Sequence, residues 1–241
     1  MKNNQIRQFG ITEIIFYHLL PGIPIILVII LLSNPKGFGL SIFPAVMSAI
    51  LFGLIPTQLG ILYFSAKKEN KKIKDIICFL TPLSLRKSIF SALPCMLTAI
   101  FVFGVIAPVE RPIWTIFNWI PNWFRLDLFD ISEVSKTQLP FLIFSAFILN
   151  GILGPFAEEI YFRGFLLPRM EKLGKFAPFV NTILFSVYHM FTPWENFTRI
   201  LAMMPYIYVV WYKKNIKIGM IVHLTLNIFS TIGLAVTAFS S

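Results

Sequence analysis

The chain has 241 residues, of which 56% are hydrophobic and only 13% are charged, with a mean hydropathy of +0.76. A soluble globular domain is about one-quarter charged, so this composition excludes a disordered chain, a disulfide-rich secreted domain and an ordinary cytosolic enzyme. The net charge of +10 is expected to reflect basic loops that set membrane orientation, and no nucleic-acid partner is predicted.

Apolar runs long enough to cross a bilayer, about 17 to 25 residues, recur along the whole chain. We predict an all-α fold, a polytopic bundle of about seven to eight transmembrane helices. A tryptophan-containing stretch between the third and fourth runs, 110–138, is expected to lie at the membrane interface. The predicted spans cover about residues 14–32, 41–64, 88–109, 139–167, 176–191, 197–212 and 218–239.

Three basic clusters separate these runs, at 67–87, 163–175 and 213–217. Cytoplasmic loops of membrane proteins collect Lys and Arg, and alternation of the predicted spans puts all three clusters on one side. We therefore expect a multi-pass protein of the cell membrane with these clusters and the N-terminus in the cytoplasm and the C-terminus outside.

Two adjacent carboxylates, Glu158 and Glu159, interrupt the fourth apolar run. A charged side chain at the bilayer centre costs about 2.5–3.5 kcal/mol on insertion scales, so both need a partner, a proton or a water-filled cavity. Arg163 follows Glu159 by four residues, the spacing of an ion pair on one helical face. Glu158 points about 100° away from Glu159 around the helix axis. It therefore has no intrahelical partner, which suits it to proton transfer. The competing interpretation is a buried salt-bridge cluster that joins helices.

The chain has three histidines. His18 has no polar neighbour at helical spacing and is expected at the interface or in packing. His189 lies near the end of the fifth run, and His223 shares a helical face with Asn227, four residues later. Two imidazoles and an amide inside apolar runs are costly unless they face partners across the bundle, so we group them with the glutamates.

This set of side chains supports hydrolysis in two ways, and both are open from the residues alone. In the first, a carboxylate base activates water for attack on a carbonyl, and Asn227 and a histidine donate to the developing oxyanion. In the second, Glu158, His189 and His223 form a His₂Glu set that holds a divalent metal, with Zn²⁺ favoured. The HExxH motif of soluble zinc proteases is absent.

The three motifs together resemble the CPBP family of intramembrane proteases, which includes CAAX prenyl endopeptidases of the Rce1 type and bacterial Abi proteins. That family carries Glu-Glu-x-x-x-Arg, Phe-x-x-x-His and His-x-x-x-Asn motifs on separate transmembrane helices. The matching stretches in this chain are 158–163, 185–189 and 223–227, in the same order.

The resemblance implies an intramembrane metalloendopeptidase whose cavity opens toward the cytoplasm. Glu158 would be the base that acts on water, with His189 as its partner, and His223 and Asn227 would bind the carbonyl oxygen. The residues that would support this site are Glu159, Arg163 and Phe185.

The resemblance also implies how the chain is organised and what it acts on. Residues 139–241 would form a four-helix catalytic core, and 1–138 would hold the N-terminal helices and the interfacial segment. The expected substrate is a membrane protein or an amphipathic peptide in the lipid bilayer, and the chain looks like a bacterial member. A non-catalytic immunity or scaffold member of the same family is the main alternative, and a proton-coupled transporter is a further one.

Overall fold

The computed structural model describes residues 6–124, 131 and 134–240, and at 107–111 and 122 it describes the backbone alone. Three acidic residues of the predicted interfacial segment, Asp127, Asp130 and Glu133, therefore lie outside the described residues.

Most of the described chain is helical, as the apolar runs predict. We number the α-helices in chain order as α1 (Ile11–Leu19), α2 (Gly22–Ser33), α3 (Ile42–Ala49), α4 (Ile55–Lys68), α5 (Ile73–Ile76), α6 (Leu85–Trp114), α7 (Leu139–Ile148), α8 (Gly154–Glu158), α9 (Ala177–Val187), α10 (Asn196–Lys213) and α11 (Ile216–Ser240). Three π-helical segments join some of them: π1 (Ile50–Leu54), π2 (Leu149–Leu153) and π3 (Glu159–Leu166). Single 3₁₀ stretches cover Thr115–Phe117, Asn122–Phe124, Leu167–Phe176 and Pro193–Glu195. The described residues form no strand, and their one isolated bridge joins Leu80 to Asn215, so the predicted all-α class is confirmed.

Five segments of the described residues are long and apolar enough to cross a membrane, fewer than the seven to eight spans predicted. They are Ile11–Ser33, Ile42–Lys68, Leu85–Ile106, Leu139–Val187 and Ile216–Ser240. The fourth segment contains the predicted span 139–167 and most of 176–191, and these form two antiparallel helices because the backbone at Met170 and Gly174 is not helical. The predicted span 197–212 corresponds to α10, which carries Asn196, Arg199 and Lys213 and does not meet the same criterion of length and hydropathy.

Helices α7, π2, α8 and π3 follow one another without a break, and the chain then reverses direction within Leu167–Phe176. The reversal contains Gly174 at φ +52°, a backbone conformation that favours glycine. After it, α9 runs antiparallel to π3: the Asn181 side chain donates to the Phe162 carbonyl at 3.2 Å, and Tyr188 reaches back to Glu158. This hairpin brings the second motif beside the first.

The remaining helices close around the hairpin. α10 packs against α6 and α9, and α11 packs against α6 and π2. Large apolar side chains such as Phe101 and Phe141 are 66% and 70% exposed on the outer surface, which is expected of a bundle whose solvent is lipid. His18 is fully buried and its Nε2 lies 2.9 Å from Asn181 Nδ2, so its role is in packing.

The segment between α4 and α6 crosses one end of the bundle and ties together the chain regions that carry the three basic clusters. The Cys78 N–H donates to the Gly164 carbonyl at 2.8 Å, and the Thr81 N–H donates to the Lys214 carbonyl at 3.0 Å. Arg169, which is fully buried, forms an ion pair with Glu69 at 3.1 Å. All three basic clusters therefore lie at the same end of the bundle.

Candidate active site

A cavity of about 560 Å³ lies between the helices, and four predicted catalytic side chains contribute to its wall. They come from the end of α8, the turn after α9, and α11. The four side chains are Glu158, His189, His223 and Asn227. The apolar part of the wall includes Ile25, Val46, Ile50, Leu54 and Phe191. An apolar cavity with a few convergent polar groups is typical of a ligand-binding site.

Glu158 is only 4% exposed, and each of its carboxylate oxygens faces an imidazole. His189 Nε2 lies 3.7 Å from Oε1, and His223 Nε2 lies 3.6 Å from Oε2. The Tyr188 hydroxyl also donates a hydrogen bond to Oε1. Side chains from the turn after α9 and from α11 thus orient the carboxylate.

The second ring nitrogen of each histidine indicates which tautomer it adopts. His189 Nδ1 lies 2.9 Å from the Phe185 carbonyl oxygen, which can only accept, so Nδ1 carries the hydrogen. His223 Nδ1 lies 3.0 Å from a carboxylate oxygen of Glu159, and the same reasoning applies. In the neutral rings both Nε2 atoms therefore present a lone pair on the side of Glu158.

Glu159 is fully buried and does not line the cavity. It accepts from the Tyr206 hydroxyl at 3.0 Å and pairs with Arg163 at 3.4 Å, the predicted i,i+4 spacing. Arg163 Nη2 in turn donates to the Tyr206 hydroxyl at 2.6 Å, and its guanidinium carbon lies 3.9 Å from the Phe185 ring centroid. The Arg163 charge is stabilised by a carboxylate and an aromatic face, and this buried cluster holds His223 from behind.

Asn227 is held by a carbonyl group that the helix leaves without a donor. In π2 the Gly154 N–H donates to the Leu149 carbonyl, and Pro155 has no N–H. An α-helix would supply the Asn150 carbonyl with the N–H of residue 154, and a π-helix would supply it with the N–H of residue 155. This carbonyl therefore receives neither backbone hydrogen bond. The Asn227 Nδ2 donates to it at 2.9 Å, and since an amide nitrogen has two hydrogens, one remains for the cavity.

The donor atoms of Glu158, His189 and His223 fit a divalent metal such as Zn²⁺ by their chemistry. Each histidine Nδ1 contacts a carbonyl or carboxylate oxygen, as is usual for histidines that bind zinc. The two imidazole nitrogens lie 3.7 and 3.6 Å from different oxygens of Glu158, and both distances exceed the spacing of about 3.3 Å between two donors on one tetrahedral Zn²⁺. Among the described residues no group of three His, Cys, Asp or Glu has the spacing of a formed metal site.

Several polar side chains at or behind the site were not predicted from the sequence; besides the three described next, the cavity is lined by Glu195, Thr198, Arg199 and Ser230. Tyr188 contacts Glu158, Tyr206 bridges Glu159 and Arg163, and the Asn150 side chain lines the cavity beside Asn227. For Tyr188 the sequence does offer a signal, because this residue lies inside the Phe-x-x-x-His motif, directly before His189 and three residues after Phe185. Tyrosines and a single asparagine are otherwise unremarkable in apolar helices, so no spacing marks the other two.

Comparison with known protein families finds a match over the part of the chain that carries this site. Residues 140–229 match the family model described as type II CAAX prenyl endopeptidase Rce1-like, and the matched range contains all three motifs. Neither the curated proteins nor the solved structures give a significant match to the chain. The resemblance read from the motifs is therefore confirmed: residues 140–229 of the chain are similar to the Rce1-like family of CAAX proteases.

Proposed function

We propose that this protein is an intramembrane endopeptidase that hydrolyses a peptide bond of a membrane-associated protein or amphipathic peptide. The observation that carries the proposal is the surroundings of Glu158. This carboxylate is buried on a cavity wall, with an imidazole nitrogen 3.7 Å from one oxygen and another 3.6 Å from the second oxygen. A carboxylate in such a setting suits general-base activation of water.

In the proposed reaction Glu158 removes a proton from a water molecule, and the water oxygen attacks the carbonyl carbon of the scissile peptide bond. The lone pair on His223 Nε2 accepts the second hydrogen of this water and orients it, while His189 Nε2 lies beside the other oxygen of Glu158. The free amide hydrogen of Asn227 stabilises the oxyanion that forms. Glu158 then delivers its proton to the leaving nitrogen as the C–N bond breaks, which gives a new carboxyl group and a new amine.

The tautomer of His223 changes the role that the family resemblance implies for it. With its hydrogen on Nδ1, the neutral ring has no Nε2 hydrogen to give to a carbonyl oxygen. We therefore assign oxyanion stabilisation to Asn227 and water orientation to His223. Glu159 and Arg163 keep His223 in this tautomer.

A divalent metal, with Zn²⁺ favoured, would be held by Glu158, His189 and His223. When bound, it would supply Lewis-acid polarisation of a water or carbonyl oxygen. With a metal there, the Nε2 lone pairs would bind it and no longer the water, whereas the Nδ1 contacts would still orient both histidines and Asn227 would keep its free amide hydrogen.

The cavity and the basic end of the bundle support the proposed substrate and location. A mostly apolar wall favours a substrate with apolar side chains beside the scissile bond. His223 lies seven residues into α11, about 10 Å along the helix from the basic end. Since basic residues favour the cytoplasm, we propose that the site faces the cytoplasmic side of the cell membrane.

Comparison of membrane peptides tests the proposal. Cells that make the wild-type chain are compared with cells that make Glu158→Gln, and Glu171→Gln serves as the control because Glu171 is an exposed glutamate outside the cavity. We expect at least one membrane-associated peptide to remain uncut in Glu158→Gln alone. If all three proteins were inserted in the membrane at equal levels and the cells contained identical peptide sets, this result would contradict the proposal and favour a non-catalytic scaffold.

A further inference from the structure

Tyr188 is the one side chain of the cavity wall, among those described, whose hydroxyl hydrogen bonds to Glu158. It is the first residue after α9, directly before His189. Its hydroxyl donates to Oε1, the same oxygen that faces His189. The other oxygen, Oε2, faces His223. The two oxygens of the carboxylate therefore have different surroundings.

Packing fixes the Tyr188 ring in this position. The side chain is fully buried, and its ring centroid lies 4.8 Å from that of Phe162, 5.6 Å from that of Phe185 and 4.1 Å from that of His189. On the backbone side, Gly22 of α2 packs against the Tyr188 carbonyl so closely that a Cβ at position 22 would clash with it. A buried hydroxyl on a ring held from several sides is a preorganised donor.

We propose that Tyr188 is a positioning residue for Glu158, and this inference rests on the proposed hydrolysis. By donating to Oε1, the hydroxyl keeps the carboxylate in one rotamer and holds negative charge on that oxygen. Oε2 is then the oxygen that takes the proton from water, on the side where His223 Nε2 lies. Tyr188 thus selects which carboxylate oxygen acts as the base.

The test uses Tyr188→Phe, which removes the hydroxyl and keeps the ring. Tyr161→Phe is the matched control, because Tyr161 is also fully buried and also donates its hydroxyl, to the Tyr17 carbonyl at 2.6 Å, but does not line the cavity. Infrared spectra of the purified protein in detergent give a readout that needs no substrate. The carboxyl band of Glu158 is identified as the band lost in Glu158→Gln. We expect this band to shift in Tyr188→Phe and to stay in place in Tyr161→Phe.

The kinetic part uses the peptide whose cleavage stops in Glu158→Gln membranes. We expect kcat to fall roughly 10- to 100-fold in Tyr188→Phe, the loss typical of a hydrogen bond to a charged group, with KM changed less than about twofold. Tyr161→Phe should keep both constants. An unshifted Glu158 band, or a kcat equal to that of Tyr161→Phe, would overturn the role of Tyr188. Unimpaired cleavage by Glu158→Gln would instead overturn the proposed function, and the infrared result would still decide whether Tyr188 positions Glu158.

Discussion

His223 connects the two adjacent glutamates through opposite edges of one imidazole ring. Its Nδ1 lies 3.0 Å from Glu159 and its Nε2 lies 3.6 Å from Glu158. The two carboxylates are neighbours in sequence but have different surroundings: Glu159 is paired with Arg163 inside the protein, whereas Glu158 lines the cavity. Neutralising each carboxylate should therefore have a different effect on stability.

Glu159→Gln is expected to lower the free energy of unfolding by about 3–5 kcal/mol, because it leaves the buried Arg163 charge without its carboxylate. Glu158→Gln should change stability little or raise it, because Glu158 faces imidazoles and a hydroxyl and its burial as a charge is itself costly. Thermal or denaturant unfolding in detergent measures both. Equal losses in the two variants would contradict the distinction.

Gly219→Ala is expected to reduce both stability and cleavage. A Cβ at this position of α11 would clash with the Glu159 carboxylate and lie 3.3 Å from a Val210 methyl, so Glu159 must move and His223 with it. Gly233→Ala on the same helix is the control, since a Cβ there meets nothing within 4 Å. We expect the control to be neutral or stabilised by up to about 1 kcal/mol, the helix preference for Ala over Gly. Similar unfolding midpoints for both variants would rule out this close approach to Glu159.

Pro155→Ala is expected to lower kcat without a comparable loss of stability. The new N–H at position 155 competes for the Asn150 carbonyl, which releases the Asn227 amide from its fixed position. Pro178→Ala near the start of α9 is the control, because helix starts do not need that N–H. Kinetics on the peptide that accumulates in Glu158→Gln membranes give the comparison, and equal kcat values for both proline variants would argue against the prediction.

The ion pair at the basic end should make stability depend on pH. Partial burial by itself raises the pKa of Glu69, but hydrogen bonds and charge from Arg169 and Lys71 outweigh it, so its pKa lies below the ordinary value of 4.5. A lowered pKa in the folded state contributes stability above pH 4.5, and this contribution is lost as the pH falls through the folded-state pKa. Glu69→Gln should thus unfold at a lower temperature than wild type at pH 7. The difference should shrink toward zero as the pH falls through the lowered folded-state pKa of Glu69. The control is the Glu171→Gln variant, at an exposed glutamate, measured over the same pH range.

Metal content tests the assignment of Glu158, His189 and His223 as ligands. We expect purified wild-type protein to contain about one zinc per chain and to lose cleavage after chelation, with activity restored by added Zn²⁺. His223→Ala should lose the metal, whereas His18→Gln should keep it, since His18 packs against Asn181 away from the cavity. Elemental analysis of the proteins is independent of the activity assay. Metal-free wild-type protein that remains active would assign the chemistry to glutamate-activated water alone.

Much of the site could be predicted because charge is rare in this chain. Glu158, Glu159 and Arg163 stand out in an apolar run, and helical spacing gives both the Glu159–Arg163 pair and the shared face of His223 and Asn227. Spacing within one helix does not say which helices face each other, so the contact between His223 and Glu159 became visible only in the structure.

The parts that could not be predicted depend on local backbone geometry and on ordinary residue types. The bond from Asn227 to Asn150 requires π2 together with the missing N–H of Pro155, and no hydropathy pattern encodes that combination. Tyr188 and Tyr206 look like any aromatic residue of a membrane helix. The long apolar segments are fewer than the predicted spans because one of them, Leu139–Val187, contains both arms of the hairpin, and because α10 is more polar than the other long helices.

The π2 segment has a consequence for the length of the helix that carries Glu158. A π-helical turn accommodates one residue more than an α-helical turn, so π2 sets the rotational phase of everything after it. Deleting one residue from 149–153 would allow a regular α-helix and rotate Glu158 by about 100° relative to α7, away from both histidines. The composition and hydropathy of the chain would hardly change. In this helix the number of residues, as much as their identity, determines where Glu158 points.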